Sequence, residues 1–225
     1  MINTTHIGGV SKVFGTKNRI YSAGGNDSVV QARWLNTTTG VWSLNSSVSG
    51  VGTSSDTVSA MYVSGNQKRW GVGRSNGDIY ILGHPDNSYS WSIANTITGA
   101  HTASVNFIRF SSNGWHMISG AAGNDSVRLR TKLNNWNTST DYPWKGQSGD
   151  WDDRNKQVTI GLYGNDNGAF TTKFLKANCS AGTNTSDISQ CQCPAGQAWF
   201  NGGCGLLLCN STNFTNINVT KGYAD

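Results

Sequence analysis

A chain of 225 residues is long enough to bury a core of its own, as one domain or two small ones. Charged residues make up only 13%, about half the usual share, and all 12 acids are aspartate; Gly, Asn, Ser and Thr fill the gap, which disfavours helices and predicts an all-β, turn-rich protein. The net charge of +5 does not make a nucleic-acid surface, because the basic residues are dispersed and no long basic run occurs.

In chain order, four segments share one plan: residues 8–43, 56–92, 103–139 and, shorter and less regular, 152–177. Each of the first three reads as an apolar strand, a Gly/Asn turn, a second strand, an Asp-bearing turn, a third strand and a Trp-bearing end. The turn aspartates Asp27, Asp78, Asp125 and Asp166 are 51, 47 and 41 residues apart, and Trp42, Trp91 and Trp136 close the first three segments. A period of roughly 40–50 residues with several strands per unit predicts about four propeller-like antiparallel sheets over residues 1–177. Four is few for a ring. Either the ring closes with four, or the repeats form an open or sandwich-like stack, or neighbouring chains complete it.

The recurring Gly-Asn-Asp turn, at 25–27, 123–125 and 164–166, is explained by backbone geometry: Gly and Asn tolerate positive φ, and the Asp carboxylate can accept from nearby amides. Calcium held by the same oxygens is the competing reading, but the loops lack the denser acid spacing of a calcium loop. No metal or cofactor is expected. Arg128 and Arg130 alternate on the third strand of their segment, so they should share one face, read as solvated.

The third segment, preceded by Gly99-Ala100-His101, resembles a WD-repeat. His101, Ser119 and Asp125 stand where that family places a histidine before the first strand, a second-strand serine and a turn aspartate. The resemblance implies that these groups hydrogen-bond together and brace the unit. It departs at Arg130, where the family usually has tryptophan, and the other segments lack the matching Gly-His.

After residue 177 the character changes. All five cysteines (Cys179, Cys191, Cys193, Cys204 and Cys209) fall in a module of residues 178–209. Disulfide stapling is the favoured reading over zinc, because the close pair is Cys-X-Cys and no histidine is near. An odd count leaves one thiol free or paired with another chain. Cys191-Gln-Cys193-Pro-Ala-Gly196 with Asn201-Gly-Gly-Cys204 resembles part of an epidermal-growth-factor-like module that lacks its sixth cysteine. The polar tail 210–225, with Phe214, Ile217 and Val219, is suited to adding as a strand to a neighbour's sheet edge.

Sequons occur at Asn3, Asn36, Asn45, Asn137, Asn178, Asn184, Asn210, Asn213 and Asn218, and also at Asn26 and Asn124, where a glycan would compete with the repeated turn. Cysteines and sequons together predict an extracellular address. No apolar segment has membrane-spanning length. The start lacks the apolar core of a secretory signal, so Met1 is expected not to be the initiator, or processing is expected to have removed something upstream.

For chemistry, the chain has no nucleophile elbow, zinc-protease motif, phosphate loop or dinucleotide fingerprint. Asp150, Asp152 and Asp153 around Trp151 are the one enzymatic candidate, a carboxylate set of the kind that cleaves sugars, against a reading as a polar loop between repeats. The expected function is an extracellular structural glycoprotein that polymerises with itself, not an enzyme. Its combination of repeats and cysteine module is similar to extracellular filament subunits of the flagellar-hair (mastigoneme) type. The alternative is a cell-surface propeller that binds carbohydrate or protein through exposed Trp and Tyr.

Overall fold

The computed structural model describes residues 6, 9–25, 27–84, 90–123, 126–143, 145–152, 157–162, 171–176, 197–200 and 203–206. They are β throughout, apart from a 3₁₀ turn at Lys132–Asn134. The chain divides into two compact units, residues 1–149 and 150–225.

The first unit holds three four-stranded antiparallel sheets, each a meander whose strands pair in chain order. The first contains β1 (Val10–Gly15), β2 (Arg19–Gly24), β3 (Val30–Asn36) and β4 (Val41–Val48). The second contains β5 (Val58–Val63), β6 (Arg69–Arg74), β7 (Ile79–Gly83) and β8 (Ser92–Ile97). The third contains β9 (Val105–Phe110), β10 (His116–Ala121), β11 (Val127–Thr131) and β12 (Ser139–Tyr142). The Trp-bearing ends foreseen from sequence are therefore the fourth strand or the approach to it. In the shorter fourth repeat, β13 (Gly146–Asp152), β14 (Gln157–Leu162) and β15 (Thr171–Lys176) form a sheet in that order, and β16 (Gln197–Phe200) pairs with β17 (Gly203–Leu206).

Register fixes which side chains share a face, because residues directly opposite in antiparallel strands point the same way. In the first sheet the row Phe14, Tyr21, Ala32 and the pair Ala23, Val30 face the second sheet. They meet the rows Val63, Trp70, Leu82 and Met61, Val72, Tyr80. Tyr21, Trp70 and Trp91 interlock edge-on, with ring centroids 5.1–5.9 Å apart. Each such pair contributes roughly 0.5–1.5 kcal/mol beyond the area it buries.

The other face of the second sheet carries Ala60, Gly73, Ile79 and Tyr62, Gly71, Ile81, and it meets Val105, Ile108, Phe110 and Met117 of the third. The alternate glycines of β6 have a steric reason. A Cβ on Gly71 would lie 2.9 Å from Ile108 and Phe110, and one on Gly73 would lie 2.7 Å from Val105. The sheets thus stack in series, with β1 beside β5 and β5 beside β9 along one edge.

Candidate functional site

The brace expected in the third repeat is present as far as the described residues reach: His101 Nε2 lies 2.9 Å from Ser119 Oγ, and both residues are buried. Asp125 lies outside the described residues. The first sheet carries a second brace that sequence reasoning missed. His6 Nδ1 is 3.0 Å from Asp27 Oδ2, and His6 Nε2 is 3.0 Å from Ser22 Oγ. Ser22 and Ser119 occupy equivalent second-strand positions, opposite Val13 and Ile108 respectively. His6 escaped detection because no glycine precedes it, so it broke the Gly-His pattern that identified His101.

Asp27 also accepts from the backbone N–H of Val29 at 3.3 Å. Gly24 makes room for it, since a Cβ there would overlap the Asp27 carboxylate. The repeated Gly-Asn-Asp turn is therefore spent, in the first sheet, on bringing a carboxylate to a histidine across two strands.

Serine, histidine and aspartate in hydrogen-bonded sequence are also the parts of a hydrolase relay. With Nδ1–H donating to Asp27, Nε2 is left to accept from the Ser22 hydroxyl, which is the tautomer such a relay uses. Access decides against it. Ser22 is 2% exposed and the His6 side chain is fully covered, so an acyl group has no path to Oγ. The arrangement can hold strands together; it cannot meet a substrate.

The second sheet lacks the histidine and has Val72 at the serine position. Arg74 takes over. Fully buried at the end of β6, it donates through one terminal nitrogen to the carbonyls of Thr53 and Asp56, in the loop that leads from β4 to β5. Burial lowers its pKa from the ordinary arginine value, with Asp56 opposing. Asp78 lies next to it in the turn and accepts from the N–H of Gly99 at 2.8 Å and from Asn76 Nδ2 at 2.9 Å. So Asp78 ties the second sheet's turn to the loop that carries His101.

The expectation that Arg128 and Arg130 share a solvated face needs correction. Arg130 is only 4% exposed, donating to the carbonyls of Trp136 and Ala100 at 3.3 and 3.4 Å. Arg128 reaches the Ala100 carbonyl too, and pairs with Asp141 at 3.4 Å. Desolvation, then the neighbouring Arg128 charge, lowers the Arg130 pKa. Arg33 holds the equivalent position in the first sheet and is also buried, donating to Gln31 Oε1 at 3.0 Å.

Trp91 and Trp136 are buried just before β8 and β12, whereas Trp42 lies within β4 and is half-buried. Of the sequon asparagines, Asn36, Asn45 and Asn137 are described and all three are exposed. Asn3, Asn178, Asn184, Asn210, Asn213 and Asn218 lie outside the described residues, as do Asp153, Asp166, Cys179, Cys191, Cys193 and Cys209. Cys204 lies on β17. Asp150 and Asp152 fall on β13, which is a strand; Asp150 is exposed and accepts from the Trp151 N–H at 3.0 Å. Among the described residues, no three His, Cys, Asp or Glu side chains gather into a metal-binding group. No helix is long and apolar enough to cross a membrane among them.

Four-stranded meanders stacked face to face have a counterpart among solved structures. The C-terminal WD40 domain of Sif2 is similar over 72% of this chain, with a TM-score of 0.53 and 15% sequence identity. The sheets are WD40-like propeller blades. The chain spans 43% of the length of that domain. No family model matches it, and no curated protein does.

Proposed function

We propose that this chain is an extracellular structural glycoprotein, not an enzyme, whose blades serve assembly with further copies of itself. One observation carries the reading. β4 ends its sheet as an eight-residue edge strand with most of its side chains exposed. An uncovered edge of that length is a template for pairing with another chain. The burial of Ser22, His6 and Asp27 supports the non-enzymatic side, and exposure of Asn36, Asn45 and Asn137 suits glycans on the outer strands and turns. Electron microscopy of native, unreduced material tests it, together with intact mass before and after endoglycosidase treatment. Regular assemblies and a glycan mass shift are expected. Isolated monomers at every concentration would overturn the self-assembly reading, and no mass shift would overturn the glycoprotein part.

A second reading, a carbohydrate- or protein-binding propeller, is favoured by Trp34, which is 43% exposed near the end of β3. An exposed indole can stack on a sugar ring. A glycan array probed with the native protein and with Trp34→Ala should show binding that the substitution removes; an empty array would end the carbohydrate form.

A further inference from the structure

We propose that the hairpin end of the first unit, formed by the β1–β2, β5–β6 and β9–β10 turns, binds an acidic polysaccharide. Strand direction separates the charges. Each meander brings its first hairpin and the turn into its fourth strand to one end, and its Asp-bearing turn to the other. Among the described residues of this unit, the acids avoid the hairpin end. Asp27, Asp56 and Asp78 lie in turns and loops of the opposite end, and Asp141 stands opposite Arg128, near the start of β11. Lys12, Arg74, Arg128 and Lys145 offset them there. Lys17, Arg19, Lys68, Arg69 and Lys132 all lie at the hairpin end, the three lysines exposed and the two arginines half-buried. Dispersed along the sequence, these five cations are gathered by the fold.

The hairpin tips form one platform. The backbone N–H of Asn66 donates to the Ser112 carbonyl at 2.7 Å and its Nδ2 to the Asn113 carbonyl at 2.6 Å, which ties the second blade's hairpin to the third's. The Tyr21 hydroxyl donates to Gln67 Oε1 at 3.4 Å and ties the first blade to the second. The Lys132 ammonium lies 5.0 Å from the centre of the Trp115 ring. A surface held in this way has little freedom left to lose on binding. The ligand class follows from the spread of the charges and from their neighbours. Sheets packed face to face lie about 10 Å apart, so cations on the first and third blades cannot share one small anion, whereas a chain of repeated charge reaches both. Trp34 stands opposite Arg19 and is 43% exposed, which sets an indole for a sugar ring beside a guanidinium for its carboxylate. Asn66, Ser112, Asn113 and Asn134, all exposed, add amide and hydroxyl groups for sugar hydroxyls. A nucleic-acid duplex carries a charge about every 1.7 Å, and five cations over three blades would leave most of those unmatched.

The inference rests on the carbohydrate-binding reading and names its ligand class. Calorimetric titration of the full chain compares polygalacturonate, hyaluronan, neutral dextran and a DNA duplex. Wild type should bind the two acidic polysaccharides and not dextran, and should release them in about 1 M salt, where the screening length falls to about 3 Å. The double variant Lys17→Gln/Lys68→Gln should bind roughly tenfold more weakly, the loss expected for two exposed ion pairs. Lys12→Gln/Lys145→Gln removes equal charge from exposed residues at the other end and should bind as wild type does. Circular dichroism checks that each variant keeps its β-structure. Equal weakening by both pairs would reduce the effect to net charge and overturn the face, and tighter binding of the duplex at equal salt would overturn the ligand class. If the acidic polysaccharides fail while a neutral glycan binds through Trp34, the charge reading falls and the carbohydrate one stands. If no carbohydrate binds, both fall.

Discussion

Removing the Ser119 hydroxyl tests whether the His–Ser brace holds the blade, and the structure sets the size of the effect. His101 Nε2 and Ser119 Oγ are 2.9 Å apart and both residues are buried, so Ser119→Ala loses one hydrogen bond and leaves an imidazole nitrogen short of a partner. The expected loss is about 1–3 kcal/mol. His101→Leu removes the other partner at similar volume, and the double substitution should cost less than the two singles together, with a coupling of about 0.5–3 kcal/mol. The second blade supplies the mirror experiment. Val72 is fully buried where the other blades have serine, and no histidine stands in the loop that leads into that blade. Val72→Ser therefore strips apolar volume and buries a hydroxyl without its partner, at a cost of about 2–4 kcal/mol. Urea unfolding followed by tryptophan fluorescence reads each value, since Trp70 and Trp91 lie in the core; with a slope of about 2 kcal/mol/M, a 2 kcal/mol loss moves the midpoint by about 1 M. Ser119→Ala within 0.5 kcal/mol of wild type, or a neutral Val72→Ser, would refute the reasoning.

Three further outcomes are expected. A fluorophosphonate probe should leave Ser22 unlabelled in the folded protein, because its hydroxyl is sealed behind His6; labelling seen on a gel, and lost with Ser22→Ala, would revive the hydrolase reading. Gly71→Ala and Gly73→Ala should each destabilise by about 1–3 kcal/mol, since the new methyl meets Ile108 and Phe110 or Val105 at under 3 Å; a variant that melts with wild type would show that the blades are spaced otherwise. Stability should fall at high pH. Burial raises the Tyr21 pKa above its ordinary 10.0, so the native state holds that proton more tightly than the unfolded chain. Its contribution is intact below pH about 10 and is lost as pH rises through the raised value, with Tyr142 acting in the same sense through burial alone. Urea midpoints across that range should decline for wild type and less for Tyr21→Phe; equal slopes would exclude Tyr21 as the cause.

What the sequence made legible was whatever is encoded locally. Asp27 and Asp78 mark real turns between second and third strands because turn chemistry needs only a few adjacent residues, and β2, β6 and β10 show as short apolar runs. The fourth strands were harder. β4 reads VWSLNSSV, with most side chains in water, so it lacks the apolar alternation that marks a half-buried strand. Arg130 was misread, and Arg74 passed over, for a related reason. A lone Arg on a strand looks solvated unless its acceptors are known, and the carbonyls of Ala100, Thr53 and Asp56 come from loops 30, 21 and 18 residues away. His6 shares that problem: it is 21 residues from Asp27, and nothing in its immediate neighbours announces the contact.

The same contrast bears on what the first blade is for. An antiparallel sheet with one face in water alternates apolar and polar residues, because the solvated face gains nothing from Val or Ile. The first sheet does not follow that rule. Its inward face carries Phe14, Tyr21 and Ala32, and its outward face carries Val13, Ile20, Leu35, Trp42 and Leu44 beside Ser22, Gln31 and Arg33, by register. The third blade has the same mix on the face it packs against the second, with Ile108 and Met117 beside Ser119 and Arg130. An exposed Val13 gains nothing from water and forfeits the roughly 1.5–3 kcal/mol that covering a side chain of its kind contributes. Charged residues would serve better there if solvent were the only neighbour. Val13 and Ile20 hold the positions that Ile108, Trp70 and Met117 fill, fully buried, in the other blades.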